Sequence, residues 1–361
     1  MIKRFSVRAG SLVGVLALSA VCLAACSSSS SSSSSGTAAA NASRVADIPQ
    51  TLTVGQISTS VAFFPIYVAR EKGFFADHHL TVPQPPLLGT GAKVAAALVG
   101  GSIDVGAGVM TDAFNLYNAG QKPRLIADLV NSYYVDIVVG NGFSGPPSNA
   151  SLLARIKALA GKKIGITGPG SGTQALVDYL FHLAGLNAST AATLVNLGAN
   201  NTAAIDALKT HEVDALAFFQ PVGQLAEALG VGSIYISPAR GDVPQLNGAT
   251  NGTVYTTPSR IAAKKQAILD FIAGLNQAEQ YIHSASAASI VNLLQAYDSG
   301  MSAAVATSLV SVLRSEIPSS PAFNRAGYKA EVVANVQGGL APSAPPYSTL
   351  VDTSLITSAI G

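Results

Sequence analysis

A glycine-rich turn near residue 170 joins a short apolar strand to a helix and offers the clearest binding chemistry in the sequence. Gly168, Gly170 and Gly172 lack side chains, so a ligand can approach the backbone closely. Ser171 or Thr173 can cap the following helix, whose first amides have no partner within it. Free amides and the helix dipole attract anions. The turn predicts an anion site, although the same glycines are equally consistent with a tight structural corner.

The residues around this turn do not complete a catalytic motif. Gly165 and Gly170 have the glycine spacing of a phosphate loop, but the Lys and Ser or Thr that should follow are absent. Ser171 lacks the Gly-x-Ser-x-Gly context of a nucleophile elbow. Asp104 and Asp214 each precede a predicted strand, which favours turn capping over general acid–base catalysis. We therefore predict that the protein is not an enzyme and uses no cofactor.

The histidines do not form a predicted metal site. They lie on predicted helices or in turns, without a Cys or carboxylate at metal-ligand spacing. We expect surface or packing roles for all five: His78, His79, His182, His211 and His283.

The N-terminus has the features of a bacterial export signal. Three basic residues, Lys3, Arg4 and Arg8, precede an apolar stretch over residues 12–23. That stretch is short for a bilayer core of about 30 Å. Leu-Ala-Ala-Cys at residues 23–26 resembles a lipobox, which implies a signal peptide over residues 1–25 and lipid on Cys26. We expect an extracytoplasmic protein, anchored to the cell membrane by this lipid and carried on a serine-rich tether over residues 26–50.

Cleavage at Cys26 would change the cysteine content and the charge. Cys22 would be lost with the signal, which excludes a disulfide, a free thiol nucleophile and a thiolate metal site. Of the 21 Lys and Arg, three lie in the signal, so 18 remain against 19 Asp and Glu. A chain so close to neutral is not expected to bind nucleic acid.

The remaining chain contains two similar halves at an offset of 110 residues. Each half runs through a strand, a helix, a turn with an Asp and a second strand, and alternating strands and helices favour a parallel α/β sheet. The identical pairs are Gly55 with Gly165, Ala97 with Ala207, Leu98 with Leu208, and Asp104 with Asp214.

The halves predict two doubly wound lobes joined by a hinge of two segments. The long helix from Pro258 and the helices after it have no strands of their own, so we expect them to pack on the first half. Lobe I is then discontinuous, over residues 51–139 and 238–361, and lobe II covers residues 140–237.

An ordered set of segments resembles the type II periplasmic solute-binding proteins of ABC importers, in the branch for nitrate, sulfonate, taurine and thiamine-pyrimidine precursors. The segments are FPIYVAREKGFF at 64–75, Ala97-Leu98 with GSIDV at 101–105, LAGKKIG at 159–165, Asp214-Ala215 leading to Gln220-Pro221, and the helix at 258–284. The resemblance implies a periplasmic binding protein type II fold that closes on a small-molecule ligand and docks on an ABC permease in the membrane. We expect a monomer.

Ligands of α/β sheets bind outside the carboxyl ends of the strands. The loops expected there are poor in charge, which favours a small anionic organic ligand, such as a sulfonate, taurine or nitrate, held by amides and hydroxyls. The predicted ligand-binding residues are Ser58, Thr59, Ser60, Phe64, Thr90, Gly91, Thr111, Tyr133, Tyr134, Ser171, Gly172, Thr173, Asn200 and Gln220.

Two alternatives remain open from the sequence. Of Tyr133 and Tyr134, one is expected in the cleft and one in the core, and the cleft tyrosine could bind a thiamine-pyrimidine precursor or another aromatic compound. The other alternative is an enzyme similar to the pyrimidine synthases of the resembling family, but those use a Cys-rich motif that this chain lacks.

Overall fold

The computed structural model describes residues 50–361, so the predicted signal peptide, Cys26 and nearly all of the serine-rich tether lie outside the described residues. The strands are β1 (Gln50–Thr51), β2 (Val54–Gln56), β3 (Leu80–Thr81), β4 (Val105–Val109), β5 (Arg124–Val130), β6 (Val135–Gly140), β7 (Lys163–Ile166), β8 (Thr193–Asn196), β9 (Ala215–Phe219), β10 (Gly232–Ile236) and β11 (Gly252–Thr256).

Helices flank these strands and dominate the last hundred residues. They are α1 (Phe64–Glu71), α2 (Gly91–Val99), α3 (Met110–Asn118), α4 (Leu152–Lys157), α5 (Gly172–Leu183), α6 (Ala188–Ala191), α7 (Asn201–Lys209), α8 (Val222–Ala228), α9 (Pro258–Ser284), α10 (Ala287–Tyr297), α11 (Ala303–Glu316), α12 (Arg325–Val332), α13 (Tyr347–Leu350) and α14 (Thr353–Ile360). No helix within residues 50–361 is both long and apolar enough to cross a membrane.

Two mixed sheets form the cores of two lobes. The first has the order β2-β4-β11-β5, and the second has the order β10-β6-β9-β7-β8. β2 is parallel to β4, and β7 is parallel to β8 and β9, as the sequence predicts. β11 runs antiparallel to both of its neighbours, and β6 runs antiparallel to β9 and β10. The expected parallel pairing therefore holds at the centre of each half, and it does not extend to β6, β10 and β11, which adjoin the crossings between the lobes.

The first crossing lies earlier in the chain than the expected boundary at residue 139. β6 is fully buried and pairs in the second sheet between β10 and β9, so the chain leaves the first lobe between β5 and β6, over residues 131–134. The second crossing lies over residues 237–251, between β10 and β11. A mostly apolar strand such as β6 can be buried in either sheet, so its sequence does not show which lobe it belongs to. Its hydrogen-bonded neighbours show that it belongs to the second sheet.

The 110-residue repeat is present in the structure at residue level. α2 and α7 have the same length at an offset of 110, as do β4 and β9. Asp104 Oδ2 accepts a hydrogen bond of 2.8 Å from the Thr53 amide, and Asp214 Oδ2 accepts one of 2.8 Å from the Lys163 amide. The two carboxylates therefore have the same structural role, but each bonds an amide 51 residues away, next to or in the strand paired with its own, so the predicted local turn cap is wrong. Asp104 also lies 2.7 Å from the ammonium group of Lys264, at a kink in α9.

The repeat extends to the left-handed residues that end the two equivalent helices. Gly101 has φ +80° after α2, and His211 has φ +59° after α7. Such a conformation suits glycine and strains a residue with a Cβ.

The C-terminal helices return to the first lobe but also reach the second. α9 packs on α1 and β5, and α14 packs on α9. A π-helical turn at Val333–Gln337 packs on α5, and α11 contacts α8. Residues after 300 therefore contact both lobes.

Candidate functional site

A narrow cavity lies between the two sheets, at the carboxyl ends of β2, β4, β7 and β9. It encloses about 20 Å³, which is room for about one water molecule. Its lining residues are Ile57, Ser58, Phe63, Gly91, Val109, Asp112, Tyr134, Val135, Thr167, Ser171, Gly172, Thr173 and Phe219. The structure therefore brings together these predicted ligand-binding residues: Ser58, Gly91, Tyr134, Ser171, Gly172 and Thr173.

The glycine-rich turn before α5 supplies one wall of the cavity. Gly170, with φ +74°, donates its amide to the Gln174 carbonyl oxygen Oε1 at 2.8 Å. Ser171 is the N-cap of α5, and its Oγ accepts from the Gln174 amide at 3.2 Å. The amides of Gly172 and Thr173 donate to no acceptor among the described residues. Two amides at the positive end of a 12-residue helix are thus available at the cavity.

Gly172 is glycine for a steric reason that the sequence does not show. A Cβ on it would lie 3.2 Å from Val109 Cγ2 and 3.5 Å from Thr111 Oγ1, both in the first lobe. At Gly172 the turn therefore comes close to the opposite wall through its backbone. Gly168 and Gly170, both with positive φ, shape the corner, while Gly172 lets the walls approach closely.

The two hinge tyrosines have different roles, as expected. Tyr134 lines the cavity. Tyr133 is fully buried, and its Oη donates to the Gly172 carbonyl at 2.8 Å. Tyr133 therefore positions the turn from behind, while Tyr134 can contact a ligand.

The remaining predicted residues do not line the cavity, and three of them are helix caps. Thr90 accepts from the Lys93 amide at the start of α2, and Asn200 accepts from the Ala203 amide at the start of α7. Ser60 Oγ accepts from the Ala62 amide. A side-chain oxygen that already accepts a hydrogen bond from a helix amide has less capacity to bond a ligand.

Four further predicted residues lie elsewhere around the cleft. Thr59 lines surface grooves beside the cleft. Phe64 packs on Tyr297, with ring centroids 5.7 Å apart. Gln220 Nε2 donates to Glu316 Oε1 at 3.1 Å and so links the two lobes. Thr111 is fully buried, and its Oγ1 has no hydrogen-bond partner among the described residues.

Asp112 is the charged lining residue that was not predicted from the sequence. It lies in the first turn of α3 and is 3% exposed. Its Oδ2 accepts from the Val109 amide at 2.9 Å. Burial raises the pKa of the Asp112 carboxyl to about 7. Its position directly after the buried strand β4 was the available signal, since the rule on strand ends applies to it as much as to Thr111.

The chain matches one protein-family model and resembles several solved structures. A model of the NMT1-like family matches residues 46–294. A structure from Bordetella bronchiseptica RB50 superposes with a TM-score of 0.74 at 23% identity, covering 86% of this chain and 96% of that one.

Two further structures carry a description of what they are. The ligand-binding component of an ABC-type import system from Staphylococcus aureus, with zinc bound, gives a TM-score of 0.68 at 15% identity over 86% of this chain and 99% of that one. The alkanesulfonate-binding protein SsuA from Xanthomonas axonopodis pv. citri, bound to MOPS, gives 0.64 at 19% identity over 88% and 99%. The search of curated proteins found no match.

Proposed function

Because the chain belongs to the NMT1-like family, we propose that it is the solute-binding component of an ABC importer. It has the type II periplasmic binding protein fold, which places a solute between two hinged lobes. The solute is captured outside the cytoplasm and delivered to a membrane permease. The chain carries no substrate chemistry in this role and acts by binding and release.

The proposed solute is a small ligand with an anionic group, such as a sulfonate, taurine or a nitrate-like ion. The observation that carries this proposal is the pair of free amides of Gly172 and Thr173 at the start of α5, inside the interlobe cavity. Preorganised amides at a helix N-terminus stabilise negative charge without a basic side chain. The alkanesulfonate-binding neighbour from Xanthomonas supports the same ligand class by analogy of fold.

An aromatic solute is the second candidate, favoured by a separate observation. Phe63, Tyr134 and Phe219 line the cavity and offer ring surfaces to an apolar ligand body. A thiamine-pyrimidine precursor belongs to this class.

A thermal-unfolding scan tests the ligand class directly. The purified protein is scanned alone and with sulfonates, taurine, nitrate, bicarbonate and pyrimidines. A ligand at about 100 times its Kd adds roughly 2.7 kcal/mol of stability, which is an easily measured shift. If none of these compounds shifts the transition, both candidate ligand classes are wrong.

The matched variants are Gly172→Asp and Thr202→Asp. Gly172→Asp places a negative charge at the proposed anion position and removes stabilisation by any anionic ligand. Thr202→Asp adds the same charge to the first turn of α7, at an exposed position outside the cavity, and leaves ligand stabilisation unchanged. The unliganded unfolding transitions of both variants show whether each remains folded.

We also propose that the chain is anchored through lipid on Cys26, as its lipobox-like segment suggests. Labelled palmitate supplied to expressing cells should be incorporated into the wild-type chain and not into Cys26→Ser. Equal labelling of both chains would contradict the anchor.

A further inference from the structure

Asp112 is the only charged side chain among the described residues that line the interlobe cavity. Only one of its oxygens is used by the fold, since Oδ2 accepts from the Val109 amide while Oδ1 accepts no hydrogen bond from residues 50–361. No Lys, Arg or His in this part of the chain lines the cavity with it. A buried carboxylate without a cation is costly, so its retention in a binding cavity calls for a partner.

The surroundings of Asp112 leave room for the carboxylate. A Cβ on Gly91 would lie 1.8 Å from Asp112 Oδ1, and one on Gly108 would lie 2.4 Å from Oδ2. Both positions must therefore be glycine for the Asp112 side chain to lie where it does. The two glycines come from different elements, α2 and β4, which together form a recess around one acidic group.

Unpartnered hydroxyls lie around the same recess. Ser58 Oγ lines the cavity, is buried and has no hydrogen-bond partner in the described chain. Thr111 Oγ1 and Tyr255 Oη are also buried without partners in residues 50–361. The Tyr255 Oη lies 3.0 Å from where a Gly108 Cβ would be, next to Asp112. Buried polar atoms without partners are rare in folded proteins and mark a place where another molecule completes the hydrogen bonds.

The carboxylate and the free amides of α5 face one small cavity from opposite lobes. Val109 joins the two groups: its amide donates to Asp112, and its Cγ2 lies 3.2 Å from the Cβ position of Gly172. One side of the cavity thus favours negative charge and the other favours positive charge.

We propose that Asp112 binds a protonated nitrogen of the solute while the anionic group of the same solute lies at the amides of Gly172 and Thr173. The solute is then a small zwitterion with a short spacer, rather than a simple anion. This inference rests on the proposed solute-binding function, because it assigns a second half to the same site. The Ser58 hydroxyl, which lines the cavity, supplies a further hydrogen bond.

Two pairs of probes of matched shape test the inference by calorimetry on the full purified chain. Taurine is compared with propane-1-sulfonate, in which a methyl group replaces the ammonium group, and β-alanine is compared with butyrate. In at least one pair, the ammonium member binds wild type about 10- to 100-fold more tightly than the methyl member.

Asp112→Asn is the decisive variant, because an Asn oxygen can still accept from the Val109 amide while the charge is lost. It is expected to abolish the advantage of the ammonium member and to leave binding of the methyl member within about threefold. Asp178→Asn is the control, since it neutralises a carboxyl on α5 that does not line the cavity, and it keeps the full advantage.

The outcomes separate the two proposals. If the methyl members bind wild type as tightly as the ammonium members, or if the advantage survives in Asp112→Asn, the assignment of Asp112 is overturned and anion binding stands. If no member of either pair binds, sulfonates and carboxylates of this size are excluded as solutes, and the zwitterionic refinement fails with them.

Discussion

At the scale of single residues, Tyr133 links the hinge to the turn that forms one wall of the cavity. Its hydroxyl donates to the Gly172 carbonyl at 2.8 Å, and its ring is fully buried. This one bond fixes the start of α5 relative to the first crossing between the lobes.

We therefore expect Tyr133→Phe to lower the free energy of unfolding by about 1 kcal/mol, the usual net loss for a buried hydrogen bond. Chemical denaturation measures this change. Tyr179→Phe is the control on α5, because the Tyr179 hydroxyl makes no hydrogen bond to the described residues, and it should leave stability within about 0.5 kcal/mol. Equal effects of the two substitutions would contradict the role of Tyr133.

Single residues also show how far the site could be predicted from the sequence. The turn with Ser171, Gly172 and Thr173 was found because strand, glycines and helix are consecutive in the chain. Thr90 and Asn200 share the same signal, a polar residue between a strand and a helix, and cap helices as Ser171 does, yet they do not line the cavity. Local chemistry cannot separate a cap from a ligand contact, since both use a side-chain oxygen at a helix N-terminus. Asp112 was missed because its burial depends on packing against Gly91 and Gly108, which belong to α2 and β4 and not to its own helix.

At the scale of elements, the repeat places one strained residue where its partner position has glycine. His211 has φ +59° after α7, and Gly101 has φ +80° after α2. His211 therefore adopts a left-handed backbone conformation, which costs roughly 1–2 kcal/mol for a residue with a Cβ.

His211→Gly is expected to raise the free energy of unfolding by up to about 1 kcal/mol, because relief of strain exceeds the entropic cost of glycine in the unfolded chain. The reciprocal change, Gly101→His, should destabilise, because φ +80° at this position strains any residue with a Cβ. Denaturation curves of the two variants give the comparison. A loss of stability in His211→Gly would show that the ring itself contributes to packing.

The elements that the sequence predicted well are those whose signal is local. Apolar periodicity and the equivalent residues Asp104 and Asp214 predicted five elements: β2, α2, β4, α7 and β9. The direction of β6, β10 and β11 did not follow, because it depends on how residues 131–134 and 237–251 cross between the lobes. The edge strand β8 is only half-buried and lacks a continuous apolar run, which explains why it was not predicted.

At the scale of the whole molecule, buried carboxyl groups set the response to pH. Burial raises the pKa of Asp112 and Asp136 to about 7 and that of Glu316 and Glu331 to about 8. The pKa values of Asp128 and Glu279 are also raised well above their ordinary values. Burial is the main cause, and neighbouring carboxyl groups in the first lobe add to it.

A carboxyl with a raised folded pKa stabilises the fold fully below its unfolded pKa, near 4, and that contribution is lost as pH rises through the folded pKa. Asp104, Asp242 and Asp352 have lowered pKa values in the folded protein. Their stabilising contribution is present at neutral pH and is lost as pH falls below about 4. We therefore expect the protein to be most stable near pH 4–5 and to lose stability progressively toward pH 8–9.

The Tm measured from pH 4 to pH 9 tests this expectation, with a fall of several degrees toward alkaline pH. Glu316→Gln keeps a hydrogen-bonding group beside Gln220 and removes one titrating carboxyl, so its Tm should fall less between pH 6 and pH 9 than that of wild type. A Tm that rises from pH 5 to pH 8 in wild type would be incompatible with neutral buried carboxyls.

The tight contact between the lobes also limits how fast a solute can be captured. A cavity of about 20 Å³ admits no organic molecule until the walls part. The observed association rate should then level off at the opening rate as solute concentration rises, instead of increasing linearly. Contacts across the cleft away from the solute, such as Asn115 with the Gly170 carbonyl and Gln220 with Glu316, then govern the residence time on the protein. Delivery to a permease would be timed by these interlobe bonds as much as by affinity for the solute.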